Sequence, residues 1–198
     1  PYITPEVCNG GQAAVATERP TSMYRRNDSP GHDMVAAHNG DFYTTANGEA
    51  GISRMGLIGA GECIFNPTGT TLMVIDGTKS AYCDYVNFNG TVASATASTR
   101  IHTVNQLRLE WEPATQANQM SLFTNAFGEK LHPSSAGGAV AVIRAKAGSV
   151  VWPTNTPLSC VVESVGDNPG QPEIPADAAV LYGVGESEAF LRALAPGD

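Results

Sequence analysis

Short apolar and alternating apolar–polar runs, separated by Gly, Pro, Asn and Asp, recur along most of this chain. This pattern is typical of β-strands joined by turns. Helices are predicted only over 23–26, after the capping pair Thr21-Ser22, and over 187–194, where apolar residues have helical spacing. The predicted strands cover 12–17, 62–65, 71–75, 80–86, 86–92, 100–109, 120–124, 139–145, 149–152, 158–165 and 178–182. The predicted fold class is α+β, mainly β: a mixed-sheet domain with a few short helices.

Turn residues between neighbouring runs suggest which strands pair. Asn66-Pro67-Thr68-Gly69 predicts that 62–65 pairs with 71–75, and Asp76-Gly77 predicts a second turn back into 80–86. Lys146-Ala147-Gly148 predicts a hairpin between 139–145 and 149–152.

The most informative change of pattern follows residues 35–37. This apolar run predicts a buried strand, and the Asn-Gly-Asp sequence at 39–41 predicts a sharp turn at its end. Gly40 lacks a Cβ, so backbone N–H groups here can approach a ligand closely, and Phe42 with Tyr43 supplies an aromatic wall. Polar turns at strand ends are common binding sites. The alternative is an ordinary Asn-Gly turn after a strand.

Composition and charge indicate a single folded domain and exclude some classes of binding partner. The 198 residues suit one domain, and 42% hydrophobic content is enough for a core. The net charge is −8, with 11 Lys and Arg in all. Because phosphate backbones and anionic membranes require clustered basic residues, nucleic acid and membrane surfaces are poor partners. No apolar run reaches the length of about 18 residues that a membrane span needs.

The four cysteines are widely spaced and form no CxxC pair, so no zinc site is predicted. Their even number, in a Lys-poor chain rich in Thr and Asn, favours a secreted protein with two disulfides. Cys63 and Cys83 flank a predicted strand–turn–strand unit and are expected to pair. Cys8 and Cys160 are left as the second pair. The alternative is four buried free thiols.

Several segments, taken in order, resemble one known family. "AAHNGDFYTTANGEA" is similar to the "AAVNGDFF…TGEP" signature of the phosphodiester glycosidase family. Each further match is a loose pattern of Gly, apolar and turn residues, but five matches occur in one order between Thr21 and Asp198. The other four segments are "DYVNFNGTV", "IHTVNQLRLEWE", "NQMSLFTNAFGEKLHP" and "IPADAAVLYGVGESEAFLRALAPGD".

The resemblance implies hydrolysis of sugar 1-phosphodiesters, for example N-acetylglucosamine-1-phospho-linked glycans. No cofactor and no metal-binding residue is assigned from the sequence. Such a reaction needs an acid, a nucleophile or base, and donors that face the phosphate. Asp41 is the candidate catalytic carboxylate. The candidate substrate-binding residues are Asn39, Gly40, Phe42, Glu49 and Arg54.

The family pattern continues beyond the point where this chain ends. It includes a further Arg-containing segment and a Gly-rich "DGGGS" motif, and neither occurs here. We therefore expect residues 1–198 to form a C-terminally incomplete domain with a half-built cleft and open strand edges. Two classes stay open: a secreted, extracellular or periplasmic glycosidase whose remaining part is supplied by its missing segment or another copy, or a non-catalytic extracellular carbohydrate-binding or structural module.

Overall fold

The computed structural model describes residues 5–8, 16–37, 40–45, 51–107, 117–131, 137–148, 151–168 and 172–198. Within these residues the chain is mainly β, which confirms the predicted fold class. The two helices are α1 (Pro20–Asn27) and α2 (Glu186–Arg192). The strands are β1 (Leu57–Gly59), β2 (Glu62–Phe65), β3 (Thr68–Ile75), β4 (Ala81–Asn87), β5 (Gly90–Ala93), β6 (Ser98–Ile101), β7 (Thr103–Val104), β8 (Met120–Phe123), β9 (Ala139–Ala145), β10 (Cys160–Asp167) and β11 (Ala179–Gly183).

A five-stranded mixed sheet forms the centre, in the order β10-β9-β11-β8-β7. Only β7 and β8 pair in parallel, and the other neighbours are antiparallel. All five residues of β11 are buried, which agrees with its uninterrupted apolar sequence, because a strand covered on both faces needs no polar alternation.

Each face of this sheet carries its own apolar cluster. Val180 and Tyr182 of β11 point into the first cluster, while Ala179 and Leu181 point into the second, as the two-residue period of a strand requires. The first cluster contains Ile52, Phe65, Phe123, Phe127, Leu131, Val140, Ile174, Val180 and Tyr182. The second contains Met120, Ala139, Ala141, Ile143, Trp152, Val162, Ala179, Leu181 and Leu191. Helix α2 covers the second face through Leu191, which is fully buried.

Three two-stranded antiparallel ribbons, β1–β2, β3–β4 and β5–β6, accompany the central sheet. The β3–β4 ribbon is largely exposed: Met73 is 69% and Tyr85 66% accessible. With Ile75 and Tyr82, these side chains give the ribbon an exposed apolar surface.

A buried polar network connects β2, β7 and β8. The Asn105 side-chain amide donates to the Ile64 carbonyl oxygen at 2.9 Å, and its oxygen accepts the Thr124 N–H at 2.8 Å. Asn66 Oδ1 accepts the Val104 N–H at 2.8 Å. Because buried polar groups are costly unless they are bonded, this network fixes how β2 sits against the parallel pair.

The predicted open edges of the sheet are partly closed. β10 is one edge strand, and Val162 donates to the Asp198 carbonyl oxygen at 3.0 Å and accepts the Gly197 N–H at 2.9 Å. The opposite edge, β7, is only two residues long. Short edge strands offer little backbone for unwanted pairing.

Several predicted elements are wrong. Residues 35–37 form no strand and are exposed, with Val35 70% accessible. β2 pairs with β1, and not with 71–75, because β3 pairs along its length with β4. β9 forms no hairpin with 151–152, since β10 and β11 occupy its two edges. The runs 86–92 and 100–109 are broken at Phe88-Asn89 and at His102.

The two predicted disulfides are also absent from the structure: all four cysteines are free thiols. Cys63 lies buried on β2, which pairs with β1, whereas Cys83 is exposed on β4 opposite Met73. Cys8 lies in the N-terminal segment and Cys160 begins β10, where it pairs with Ala145. The pairing depended on a β2–β3 hairpin that the chain does not make.

Among the residues that the structure describes, neither helix has the length or apolar character to cross a membrane.

Candidate functional site

Gly40 and Asp41 of the predicted turn belong to a short two-limbed segment, here called the site ribbon, formed by residues 40–45 and 51–55. Tyr43 and Ser53 form an antiparallel bridge. The Thr44 N–H donates to the Ile52 carbonyl oxygen at 2.9 Å, and the Arg54 N–H donates to the Phe42 carbonyl oxygen at 3.0 Å. Ile52 is 3% exposed and belongs to the first apolar cluster. The ribbon is therefore anchored to the core through one side chain, while its neighbours face outward.

Two glycines allow the second limb to lie close to other backbone. Gly51 has φ +101°, and a Cβ there would overlap the Ala16 carbonyl oxygen. Gly56 has φ +109°, and a Cβ there would lie 2.6 Å from Pro67 Cα. Residues with a side chain rarely adopt such a φ, so both ends of this limb require glycine.

Asp41 shapes the ribbon through its carboxylate. One oxygen accepts the Phe42 N–H at 2.6 Å, and the other accepts the Ser53 hydroxyl and the Met55 N–H, the latter at 3.0 Å. Ser53 Oγ in turn accepts the Gly56 N–H at 3.2 Å. Asp41 thus holds the two limbs together and fixes the turn that follows them. Because both oxygens already accept hydrogen bonds, the carboxylate is held in one orientation.

The outer side of the ribbon forms an open depression. Phe42 is 75%, Tyr43 49% and Met55 37% accessible. Aromatic faces of this kind offer large rigid contact area to a ligand ring, and a guanidinium such as that of Arg54 matches the geometry of phosphate oxygens. The depression is lined by Phe42, Tyr43, Arg54, Met55 and Thr68.

The structure brings together some of the residues predicted from the sequence. Phe42 and Arg54 line the depression, and Asp41 lies half-buried in the ribbon that carries them. Gly40 is exposed at the start of the first limb. Asn39 and Glu49 lie outside the described residues, as does His38.

Sequence reasoning missed Ser53, Met55 and Thr68. Ser53 is the partner of Asp41, and the pair of glycines on either side of it, Gly51 and Gly56, was the available signal. Met55 and Thr68 reach the depression only because the second limb leads into β1 and β3, so no local pattern indicated them.

A second concavity of about 1060 Å³ lies between the ribbons and the second apolar cluster. Trp152, Phe190 and Leu158 give it apolar walls, and Cys63 and Cys160 both face it. Burial raises the pKa of both thiols, that of Cys63 to about 12, where the nearby Glu62 carboxylate adds to the effect. Both sulfurs are therefore protonated at neutral pH and are poor nucleophiles.

Glu62, next to Cys63, is a half-buried and incompletely bonded group. Burial raises its pKa, and the Trp152 backbone N–H partly opposes this by donating to the carboxylate. Its Oε1 atom is buried and has no hydrogen-bond partner among the described residues. Across these residues no three His, Cys, Asp or Glu side chains lie close enough together to hold a metal ion.

Comparison with known proteins identifies a similar fold but assigns no activity. The chain matches no protein-family model and no curated protein. Its fold is similar to that of the "Putative exported protein" of Burkholderia pseudomallei K96243, with a TM-score of 0.63 and 15% sequence identity. The match covers 97% of this chain and 41% of that protein, so the chain spans less than half of its length. At this identity the likeness concerns the architecture alone: a mainly β protein built on a mixed sheet.

Proposed function

We propose that this chain belongs to an exported protein that acts on sugar 1-phosphodiesters, and that the site ribbon binds the sugar and its phosphate. The observation that carries the proposal is the exposed Phe42 ring beside Arg54 on one depression. An aromatic face suits a sugar ring, and a guanidinium suits the attached phosphate. The resemblance of residues 36–50 to the phosphodiester glycosidase signature gives the same substrate class.

Within this proposal Asp41 is the catalytic carboxylate. Hydrogen bonds from Ser53 and Met55 hold it in one orientation at the base of the ribbon, as a positioned acid, base or nucleophile requires. Export is supported by the neighbour described as an exported protein, whose fold this chain shares.

A second candidate is a non-catalytic carbohydrate-binding module. The specific observation in its favour is that both oxygens of Asp41 accept hydrogen bonds from within the chain. A carboxylate that already fixes the ribbon has a structural role without any chemistry. In that case Phe42 and Arg54 bind the glycan, and no bond is cleaved.

Binding of N-acetylglucosamine 1-phosphate, followed by NMR line shifts or calorimetry, tests the shared part of both candidates. Phe42→Ala and Arg54→Gln should each weaken binding about tenfold or more, since each removes one of the main ligand contacts. Tyr82→Ala is the matched control, because Tyr82 is an exposed aromatic residue on β4. Equal affinity of all three variants and the unchanged chain would refute the site.

Release of N-acetylglucosamine from a methyl phosphodiester of N-acetylglucosamine 1-phosphate separates the two candidates. In the natural protein that contains this chain, the enzyme hypothesis expects turnover that Asp41→Asn reduces about a hundredfold or more. Sugar phosphate binding without turnover would support the binding module instead.

A further inference from the structure

A histidine at the end of α1 connects the N-terminal segment to that helix. The helix ends at Asn27, and Ser29 and His32 then exchange backbone hydrogen bonds of 3.1 and 2.8 Å in a tight turn. The turn directs the His32 ring back to the helix end, where Nδ1 lies 2.6 Å from the Asn27 carbonyl oxygen. A histidine beside the last carbonyls of a helix is favoured there by the helix dipole.

The other ring nitrogen of His32 faces the N-terminal segment. Nε2 lies 3.0 and 3.1 Å from the two carboxylate oxygens of Glu6. Carbonyl and carboxylate oxygens accept hydrogen bonds and cannot donate them. A neutral imidazole has one N–H, so it can serve only one of these two acceptors, whereas the imidazolium has two N–H groups and serves both.

The groups around the ring favour its charged form from each neighbouring element. Glu6 faces it from the N-terminal segment, and Asp28, whose carboxylate accepts the Met34 N–H at 3.0 Å, lies in the turn. The basic group nearby on α1, Arg26, is engaged with Glu18 at 2.7 Å. The hydrogen bond to Glu6, then that to the Asn27 carbonyl, raises the pKa of His32 above its ordinary value of 6.5.

Residues 5–8 have a second attachment and a place on the fold. The Asn27 side-chain amide donates to Cys8 Sγ at 3.5 Å and to the Met23 carbonyl oxygen at 2.8 Å. Val7 lies near β1, where a Cβ on Gly59 would be 3.7 Å from the Val7 Cβ. The segment therefore spans from the end of α1 to the first ribbon of the fold.

We propose that His32 is a pH-sensitive latch that holds residues 5–8 between the end of α1 and β1. Protonated His32 bonds Glu6 and the Asn27 carbonyl at once, and loss of the proton releases Glu6, because the remaining N–H stays on the shorter contact, 2.6 Å, with the Asn27 carbonyl. Because the folded pKa is raised, the latch contributes its full stability below pH 6.5, and this contribution is lost as the pH rises through the folded pKa. Release of the segment removes Val7 from its position beside β1 at Gly59.

The test is an NMR titration of the His32 ring in the whole chain, together with backbone relaxation of Glu6, Val7 and Cys8 at about pH 5.5 and about pH 9. The titration midpoint of His32 should lie above that of an unstructured histidine and should fall in Glu6→Gln. Glu186→Gln, a matched change at the exposed start of α2, should leave the midpoint unchanged. The three amides should be ordered at the lower pH and mobile at the higher.

His32→Gln provides a second reading, because glutamine cannot carry the charge. In this variant the three amides should show the same mobility at both pH values. An unshifted midpoint in Glu6→Gln would overturn the latch, and so would order of residues 6–8 that does not change with pH in the unsubstituted chain. These measurements involve no ligand, so they are independent of the proposed sugar phosphate site.

Discussion

At the scale of single residues, two carboxylates have contrasting environments. Asp41 accepts three hydrogen bonds and fixes the site ribbon, and the half-buried Glu62 has an oxygen without a partner among the described residues. The same functional group is thus fully satisfied at one position and incompletely bonded at another. Substitution should therefore change the free energy of unfolding in opposite directions at the two positions. A change at Asp41 removes hydrogen bonds, whereas a change at Glu62 removes a desolvated charge.

Asp41→Ala should lower the free energy of unfolding by about 1–3 kcal/mol, because the Ser53 hydroxyl and the Met55 N–H lose their acceptor. Asp41→Asn keeps one side-chain oxygen and should cost less than the alanine variant. Urea denaturation measures both effects. Asp33→Ala, a change at an exposed carboxylate outside the ribbon, is the control and should stay within about 0.5 kcal/mol. Equal stability of Asp41→Ala and the control would show that the ribbon does not need this carboxylate.

Glu62→Gln should make the protein more stable at neutral pH. The raised pKa of Glu62 means that folding favours its protonated form. The unsubstituted chain therefore loses stability as the pH rises from 4.5, the ordinary pKa of a glutamate, through the higher pKa of Glu62 in the folded state. Glutamine has no proton to lose. The urea midpoint of the variant should exceed that of the unsubstituted chain at about pH 7, and the two should converge near about pH 4. Glu129→Gln, at an exposed position, should give no such pH-dependent difference.

At the scale of elements, strand pairing and buried polar bonds decide how the short strands are arranged. The parallel pair β7–β8 joins the sheet although β7 has only two residues. Its position depends on Asn105, which follows it directly with φ +54° and bonds to both β2 and the end of β8. A left-handed backbone is tolerated by Asn better than by most residues. One side chain therefore substitutes for the ladder bonds that a longer strand would provide.

Asn105→Ala should lower the free energy of unfolding by about 2–4 kcal/mol, because it leaves the Ile64 carbonyl and the Thr124 N–H without their partner in the interior. Chemical denaturation gives the value, and hydrogen exchange of β7 and β8 amides shows where the loss occurs. Asn125→Ala is the matched control: Asn125 is exposed and donates one bond of 3.2 Å to the Ala176 carbonyl. A loss no greater than in the control would show that the Asn105 network does not stabilise the fold.

At the scale of the whole molecule, the central sheet buries both faces and the three ribbons extend from it. Cys63 belongs to the buried surface of one ribbon, and Cys83 to the exposed surface of another. The molecule is thus held by apolar contacts on two faces and by the Asn105 network, and covalent links between the ribbons are absent among the described cysteines. The large clusters around Phe123 and Leu181 account for most of the apolar burial.

Iodoacetamide should therefore label the native protein unevenly. Cys83 should react first because it is exposed, and Cys63 last because it is buried and its pKa is raised to about 12. After unfolding without a reducing agent, all four cysteines should become labelled. Peptide mapping by mass spectrometry follows each site. A cross-linked peptide that joins Cys63 to Cys83, or Cys8 to Cys160, would contradict the free thiols and restore the pairing expected from the sequence.

The sequence by itself determined the fold class and the approximate position of both helices, although Thr21-Ser22 lie inside α1 and do not cap it. The runs at 120–124, 139–145 and 178–182 became β8, β9 and β11 within a residue or two, because strand-forming patterns are local; of the three, only β11 is apolar and buried throughout. The helix predicted over 187–194 became α2 (Glu186–Arg192), since helical spacing is also a local property. The Asn-Gly-Asp pattern singled out Asp41 and Phe42, whereas Arg54 was a candidate only through the family resemblance.

Only the tertiary structure decided which strands pair and which side chains meet. Local turn signals predicted a β2–β3 hairpin, but β3 pairs with β4 over its whole length and leaves β2 to β1. Because that hairpin does not form, Cys63 and Cys83 do not lie on neighbouring strands. The partners of Asp41 were equally hidden, because Ser53 lies twelve residues away and meets it only through the bridge at Tyr43. Backbone pairing and burial bring together residues that are distant in sequence, and a local sequence pattern does not indicate which distant residues will meet.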